Sequence, residues 1–150
     1  MTERTFVMVK PDGVQRRLAG KIIERFEGAG LKIAAIKFMS VSKELAEKHY
    51  AIHKGKPFYD GLIEYITSGP VLAMVLEGNN VIGRVRAMVG STNPDEAMPG
   101  TIRGDYAQEI GRNIVHASDS EEMAKHEIAL WFSPQEIISY KMTDEDWLFE

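Results

Sequence analysis

Four short apolar runs separated by stretches of helical spacing restrict this chain to folds in which a few strands share one sheet and helices lie over it. The first run, Phe6 to Val9, is apolar at every position, as a central strand requires, and Pro11, Asp12 and Gly13 end it. Lys10 is left at the strand's edge. Ile22, Ile23 and Phe26 mark one face of a helix stopped by Gly28 and Gly30, and Leu31 to Val41 reads as a second strand. Two helical pieces follow, one holding Leu45, Ala46, His49 and Tyr50, the other Phe58, Leu62, Ile63 and Ile66 before Gly69 and Pro70. Val71 to Leu76 predicts the third strand. Val81, Ile82, Val85, Met88 and Val89 recur at helical spacing, whereas Asn93 to Gly104, polar and rich in Gly and Pro, predicts a long loop. With Ile114 to His116 as the fourth strand and Met123 to Trp131 as a further helix, the order predicts a four-stranded α+β sandwich.

A length of 150 residues with 44% hydrophobic content suits one domain, residues 1–150, around a sizeable core. With Cys 0 there is no disulfide framework, no thiolate nucleophile and no cysteine-based metal site, which favours a reducing, cytoplasmic setting. No apolar stretch approaches the length of a membrane span, so a soluble, unexported protein is expected. The formal net charge of -4 argues against nucleic acid as a primary partner, because a phosphate backbone demands clustered positive surface. Any site for a polyanion must be local.

One segment combines these constraints with chemistry. In NIVHASDS, Asn113 to Ser120, a histidine ends a buried strand, and Ser118, Asp119 and Ser120 lead into Glu121 and Glu122 as a helix start does. On that helix Glu127 has only apolar neighbours at three and four positions, namely Met123, Ala124, Leu130 and Trp131. Its carboxylate therefore points inward and needs a partner. His116 and Ser118 are the nearest candidates, and a core arginine fits the spacing equally well. Of the other histidines, His126 reads as solvent-facing and His49 as packing, while His53, in the loop HKGKP, is within reach of an anion.

A second constellation is basic. Arg84, Arg86, Thr92, Arg103 and Arg112 bracket the glycine-rich loop, and guanidinium forks with a hydroxyl can grip a polyphosphate. The alternative is that these arginines form surface ion pairs with Asp95, Glu96, Asp105 and Glu109. Neither a P-loop nor a GxGxxG is present, so the usual nucleotide fingerprints are missing.

TNP (Thr92 to Pro94), PGTIRGD (Pro99 to Asp105) and GRNIVHASDS (Gly111 to Ser120) together resemble the nucleoside diphosphate kinases. The resemblance extends from TFVMVKPDGVQR through EKHY, KPFYDGL and SGPVLAMVLEG to HEIALWF and the terminal WLFE, essentially the whole chain. It implies a ferredoxin-like βαββαβ core with a four-stranded antiparallel sheet, and ping-pong transfer of a γ-phosphoryl group from a nucleoside triphosphate to a nucleoside diphosphate through a phosphohistidine. Carried over by position, that histidine is His116, oriented by Glu127 and Ser118. The phosphate ligands fall on Lys10, Tyr50, Arg86, Thr92 and Arg103. Asn113 with Lys10 would bind the sugar hydroxyls, and Phe58 and Ile110 would enclose the base. Stacking of that kind does not read hydrogen-bond patterns, so base identity should matter little.

Counting back six residues from Thr92 gives Arg86 as the family's phosphate arginine and sets Arg84 aside. The departures are small. Ala117 stands where glycine is common, Ile110 where valine is common, and His53 at a position that varies. The resemblance also implies Mg²⁺ held mainly through nucleotide phosphates, with no dedicated protein metal site, and a homo-oligomer, a hexamer favoured over a tetramer. In such a hexamer the Pro99 loop would meet at the threefold axis, and Trp147, Leu148 and Phe149 would pack on a neighbouring subunit or fold back on their own.

Overall fold

The central strand, β1 (Thr2–Val9), is buried on both faces from Thr5 onward because alternate side chains feed two separate cores. Val7 and Val9 point into one, Phe6 and Met8 into the other. The structure, a computed structural model, describes residues 2–150. After β1 come α1 (Pro11–Gln15), α2 (Ala19–Gly28), β2 (Lys32–Ser40), α3 (Lys43–His49), α4 (Tyr59–Ile66), β3 (Pro70–Asn79) and α5 (Val81–Val89). Then follow α6 (Ile102–Tyr106), β4 (Val115–Ala117), α7 (Glu121–Trp131) and α8 (Glu145–Leu148).

The strands form one sheet in the order β2-β3-β1-β4, every neighbouring pair antiparallel. Both crossovers, β1 to β2 and β3 to β4, carry their helices to the same face, where Ile22 and Phe26 of α2 and Val81, Val85 and Val89 of α5 meet Val7, Val9, Met74 and Leu76. This is the ferredoxin-like βαββαβ arrangement the resemblance implied. Ala46 of α3, Ile63 and Ile66 of α4 and Trp131 of α7 cover the other face over Phe6, Met8, Ala73 and Val75. Helices on both faces account for the unbroken apolar runs in β1 and β3.

The first strand begins at Thr2 rather than Phe6 and the second runs Lys32–Ser40 rather than Leu31 to Val41, and three further differences have a physical cause. The third strand continues past Leu76 to Asn79, because Glu77 holds its end with Arg4 (2.9 Å) and Lys32 (3.1 Å), polar contacts that leave no apolar signature. The segment read as a long loop contains α6, whose cap is Thr101, its hydroxyl accepting from Gly104 N at 3.0 Å. With Ile102 as its one fully buried apolar side chain, no periodicity could announce it. The fourth strand begins at Val115, since Ile114 has φ 74 and lies outside the ladder. His116 is thus mid-strand, opposite Met8. As read, the next helix starts at a capping oxygen, that of Ser120, which accepts from Met123 N at 3.1 Å.

The tail folds at least partly onto its own chain. Leu148 lies over Gly30 so closely that a Cβ there would fall 2.8 Å from Leu148 Cδ2, and Tyr140 donates to Ile33 O at 2.6 Å. Trp147 is 91% exposed and touches nothing that would cover it.

Candidate active site

The β4-to-α7 turn and the inner end of α7 bring three polar groups together. The His116 imidazole lies with Nε2 at 2.9 and 3.0 Å from the two oxygens of Glu127, and Ser118 Oγ donates to Glu127 Oε1 at 2.5 Å. The partner of the inward carboxylate is therefore this imidazole and hydroxyl, not a core arginine. Burial pushes the Glu127 carboxyl up, but the His116 and Ser118 hydrogen bonds outweigh it and hold the group below its ordinary value. An ionised carboxylate accepts only, so Nε2 carries the proton of that bond and Nδ1 is the ring nitrogen Glu127 leaves unengaged. Among the described residues nothing bonds to Nδ1.

His49 was read as packing, and the structure gives it more. Its ring stands edge-on to His116, with centroids 4.8 Å apart, and its Nδ1 accepts from Trp131 Nε1 at 3.1 Å. Burial first, then the neighbouring His116, push His49 down to about 3, so it is neutral. The 3.6 Å approach of its Nδ1 to Glu127 is consequently a meeting of two acceptors rather than an ion pair. His49 and Phe6, whose ring centre is 5.8 Å from that of His116, confine the imidazole from two sides. No periodicity of α3 separates such a role from packing.

The positive groups come from three places in the chain. Lys10, just past β1, donates to Asn113 Oδ1 at 2.8 Å, and Asn113 Nδ2 donates to Thr92 O at 3.1 Å. Burial, with the Arg103 charge added, lowers the Lys10 ammonium to about 8. Arg103 is 3% exposed, and its three nitrogens reach Asn113 O (3.2 Å), Gly90 O (3.1 Å) and Val115 O (2.5 Å). It ties the loop after α5 to the segment carrying His116. Arg86 donates to Ala117 O at 3.2 Å from the other side. Tyr50 is buried, and its phenol is raised by burial, then by Glu127, to about 12, so it stays protonated.

These residues line a cavity of about 650 Å³ that also contains Phe58 and Ile110 at its mouth, with Ile52, His53 and Leu62 beside them. A wider groove of about 840 Å³ along Thr2, Ile128 and Phe132 holds no histidine, so the chemistry belongs to the smaller cavity. Of the basic constellation, Arg86, Thr92 and Arg103 line the cavity and two arginines do not. Arg84 bonds Asn79 O at 3.3 Å, and Arg112 stacks over the Tyr65 ring at 4.3 Å. The alternative reading of surface ion pairs also fails, since Asp105 pairs instead with Arg25 at 2.6 Å. A left-handed Ile114, fully buried, lies between Asn113 and His116 and costs about 1–2 kcal/mol of backbone strain. Hydrophobic pattern gives no sign of it.

His49, His116 and Glu127 have donor atoms within 4.8 Å of one another, yet Trp131, the Nε2 proton and Ser118 already occupy those atoms. The cavity's other carboxylate, Asp119, is exposed at the rim. The lining thus suits a hard cation that arrives on phosphate oxygens better than one held by a protein cage.

The model of the nucleoside diphosphate kinase family matches residues 3–137. The chain belongs to that family. Nucleoside diphosphate kinases of Archaeoglobus fulgidus and Staphylococcus epidermidis are 60% and 61% identical to it over 148 residues, each alignment covering 99% of this chain and 98% and 99% of the relative. A halophilic nucleoside diphosphate kinase of Halobacterium salinarum, solved in complex with CDP, superposes with a TM-score of 0.97 at 50% identity over 100% of both chains. One from Babesia bovis does so at 0.96 with 46% identity, covering 98% of this chain and 99% of the other. Membership in this kinase family makes the chain a phosphotransferase.

Proposed function

We propose that the chain transfers the γ-phosphoryl group of a nucleoside triphosphate to a nucleoside diphosphate, with His116 as the transient carrier. The observation that carries this reading is the Glu127 carboxylate bonded to Nε2, which leaves Nδ1 as the nucleophile. Its lone pair attacks the γ-phosphorus, the bond to the β–γ bridging oxygen breaks, and the electron pair leaves on the nucleoside diphosphate. The new Nδ1–P bond makes the ring cationic, and Glu127, held by Ser118, stabilises that charge through the Nε2 proton. A β-phosphate oxygen of the acceptor then attacks the phosphorus and the N–P pair returns to the ring. One site serves both half-reactions, so the kinetics are ping-pong.

Lys10, Arg86 and Arg103, with Thr92 and the protonated Tyr50, would hold the phosphates while charge spreads over the transferring oxygens. Asn113 and Lys10 would take the sugar hydroxyls. Phe58 and Ile110 would enclose the base at the mouth. Nucleotide-bound Mg²⁺ would offset phosphate charge. His53 lines the same wall, and its Nδ1 lies 3.3 Å from Lys56 Nζ.

The test is incubation with γ-labelled ATP without acceptor. Acid-labile label should appear on His116, and His116→Gly should lose both label and exchange, by about 10⁴-fold or more, while still binding nucleotide. Exchange at the native rate in that variant would remove the proposed carrier.

No helix among the described residues is long and apolar enough to cross a membrane. We further infer a cytoplasmic homo-oligomer, a hexamer favoured over a tetramer, supported by the uncovered Trp147 and the exposed Met98 beside the Pro99 loop. Sedimentation of the chain cut before residue 143 should show smaller assemblies, and an unchanged mass would assign the tail to its own subunit.

A further inference from the structure

The left-handed Ile114 is held from outside the cavity. Its N–H donates to Asp12 Oδ2 at 3.1 Å, and its carbonyl accepts from Lys10 N at 2.8 Å. The other oxygen of Asp12 accepts from the Tyr65 hydroxyl, and the Arg112 guanidinium lies over the Tyr65 ring. Close approach is built in on the Asp12 side, since a Cβ on Gly13 would fall 2.7 Å from Val9 Cγ1 and 3.0 Å from Ile114 O. Burial, then Asp12, hold the Tyr65 phenol above its ordinary range, so it remains a donor. None of Asp12, Tyr65 and Arg112 lines the cavity that holds His116.

We propose that Asp12, oriented by Tyr65, is a positioning residue that keeps Ile114 left-handed and thereby sets Asn113 and His116 toward the substrate. This rests on the phosphohistidine reading of the cavity. Asn113 and His116 flank the strained residue by one and two positions, and were Ile114 to relax to negative φ, the side chain of Asn113 would turn away from Lys10 and Thr92. Only a carboxylate offers an acceptor to each of the two donors from separate oxygens. An asparagine keeps one acceptor only, so its N–H₂ either faces the Ile114 N–H or requires the Tyr65 hydroxyl to turn from donor to acceptor.

The experiment measures the first-turnover rate of His116 labelling at saturating γ-labelled ATP, well below the melting temperature. Asp12→Asn should lower that rate about 10-fold, and Tyr65→Phe, which leaves the Ile114 bond intact and keeps every core carbon, about 3-fold. Glycine adopts φ 74 freely, so in the Ile114→Gly background Asp12→Asn should cost less than about 2-fold. A purely structural role would lower the melting temperature and leave these factors equal in both backgrounds. Native labelling rates in Asp12→Asn and Tyr65→Phe, or an equal loss with and without Ile114→Gly, would overturn the proposal. An unaltered chain that takes no label would overturn the carrier itself, and the positioning role with it.

Discussion

At the inner end of the cavity Arg103, Asn113 and Glu127 are 3% exposed and Ser118 1%, whereas at the mouth Phe58 and Ile110 are 51% and 61% exposed. The inner groups are locked before any ligand arrives. Arg103 is tied to three carbonyls, Asn113 to Lys10 and Thr92, and Glu127 to an imidazole and a hydroxyl. The mouth has surface to offer and almost no fixed polar geometry. Charge that develops during transfer is best met by dipoles needing no reorganisation, and a base of variable shape by apolar faces that yield. Rate should therefore depend on the inner end, and affinity for the base on the mouth.

Short of removing the proposed carrier itself, the largest effect should come from Glu127→Gln, which keeps shape and removes charge. Phosphoryl transfer should slow about 10²-fold, roughly 2.7 kcal/mol of transition-state stabilisation, with nucleotide affinity little changed. Stopped-flow phosphorylation beside equilibrium binding measures both, and an unchanged rate would return Glu127 to a structural role.

An intermediate effect concerns Lys10, which links the two ends through the sugar. Its folded value of about 8 lies below the 10.5 of a free lysine, so between these the unfolded chain binds more protons and stability gains with rising pH. Below pH 8 the buried ammonium costs stability in full, and that cost fades as the group deprotonates. The same loss of charge should weaken nucleotide binding, so KM should rise above pH 8 in the native chain and stay flat in Lys10→Met. The melting temperature of the native chain should rise relative to that of Lys10→Met across that interval, and parallel curves would contradict the burial argument.

A smaller effect, on KM rather than on rate, should come from Phe58→Ala, with KM raised about 5-fold, near 1 kcal/mol, and kcat held. Purine and pyrimidine diphosphates should suffer alike. A large loss confined to one base would show that the mouth reads edges after all.

The His116–Glu127 pair was legible because an acidic residue among apolar neighbours on α7 can point only inward, and because one histidine precedes a helix start of unmistakable composition. The family motifs placed Lys10, Arg86 and Arg103 beside it. Arg84 and Arg112 illustrate the opposite case, sharing residue type and neighbourhood with the arginines that line the cavity but turned to Asn79 and Tyr65. His49 looked ordinary because a helix face cannot say which ring it will meet. Asp12 passed as punctuation after β1.

Hydrophobic period and turn residues were enough for the four strands, the longer helices and their order, since each depends on neighbours a few positions away, but not for the short α1, α6 and α8. Folding decided what long-range pairing alone supplies. The register of β4 on β1 sets His116 opposite Met8, the packing of α7 delivers Glu127 to Nε2, and Asp12, 102 positions from Ile114 in the chain, holds a backbone conformation that no local preference of isoleucine would choose.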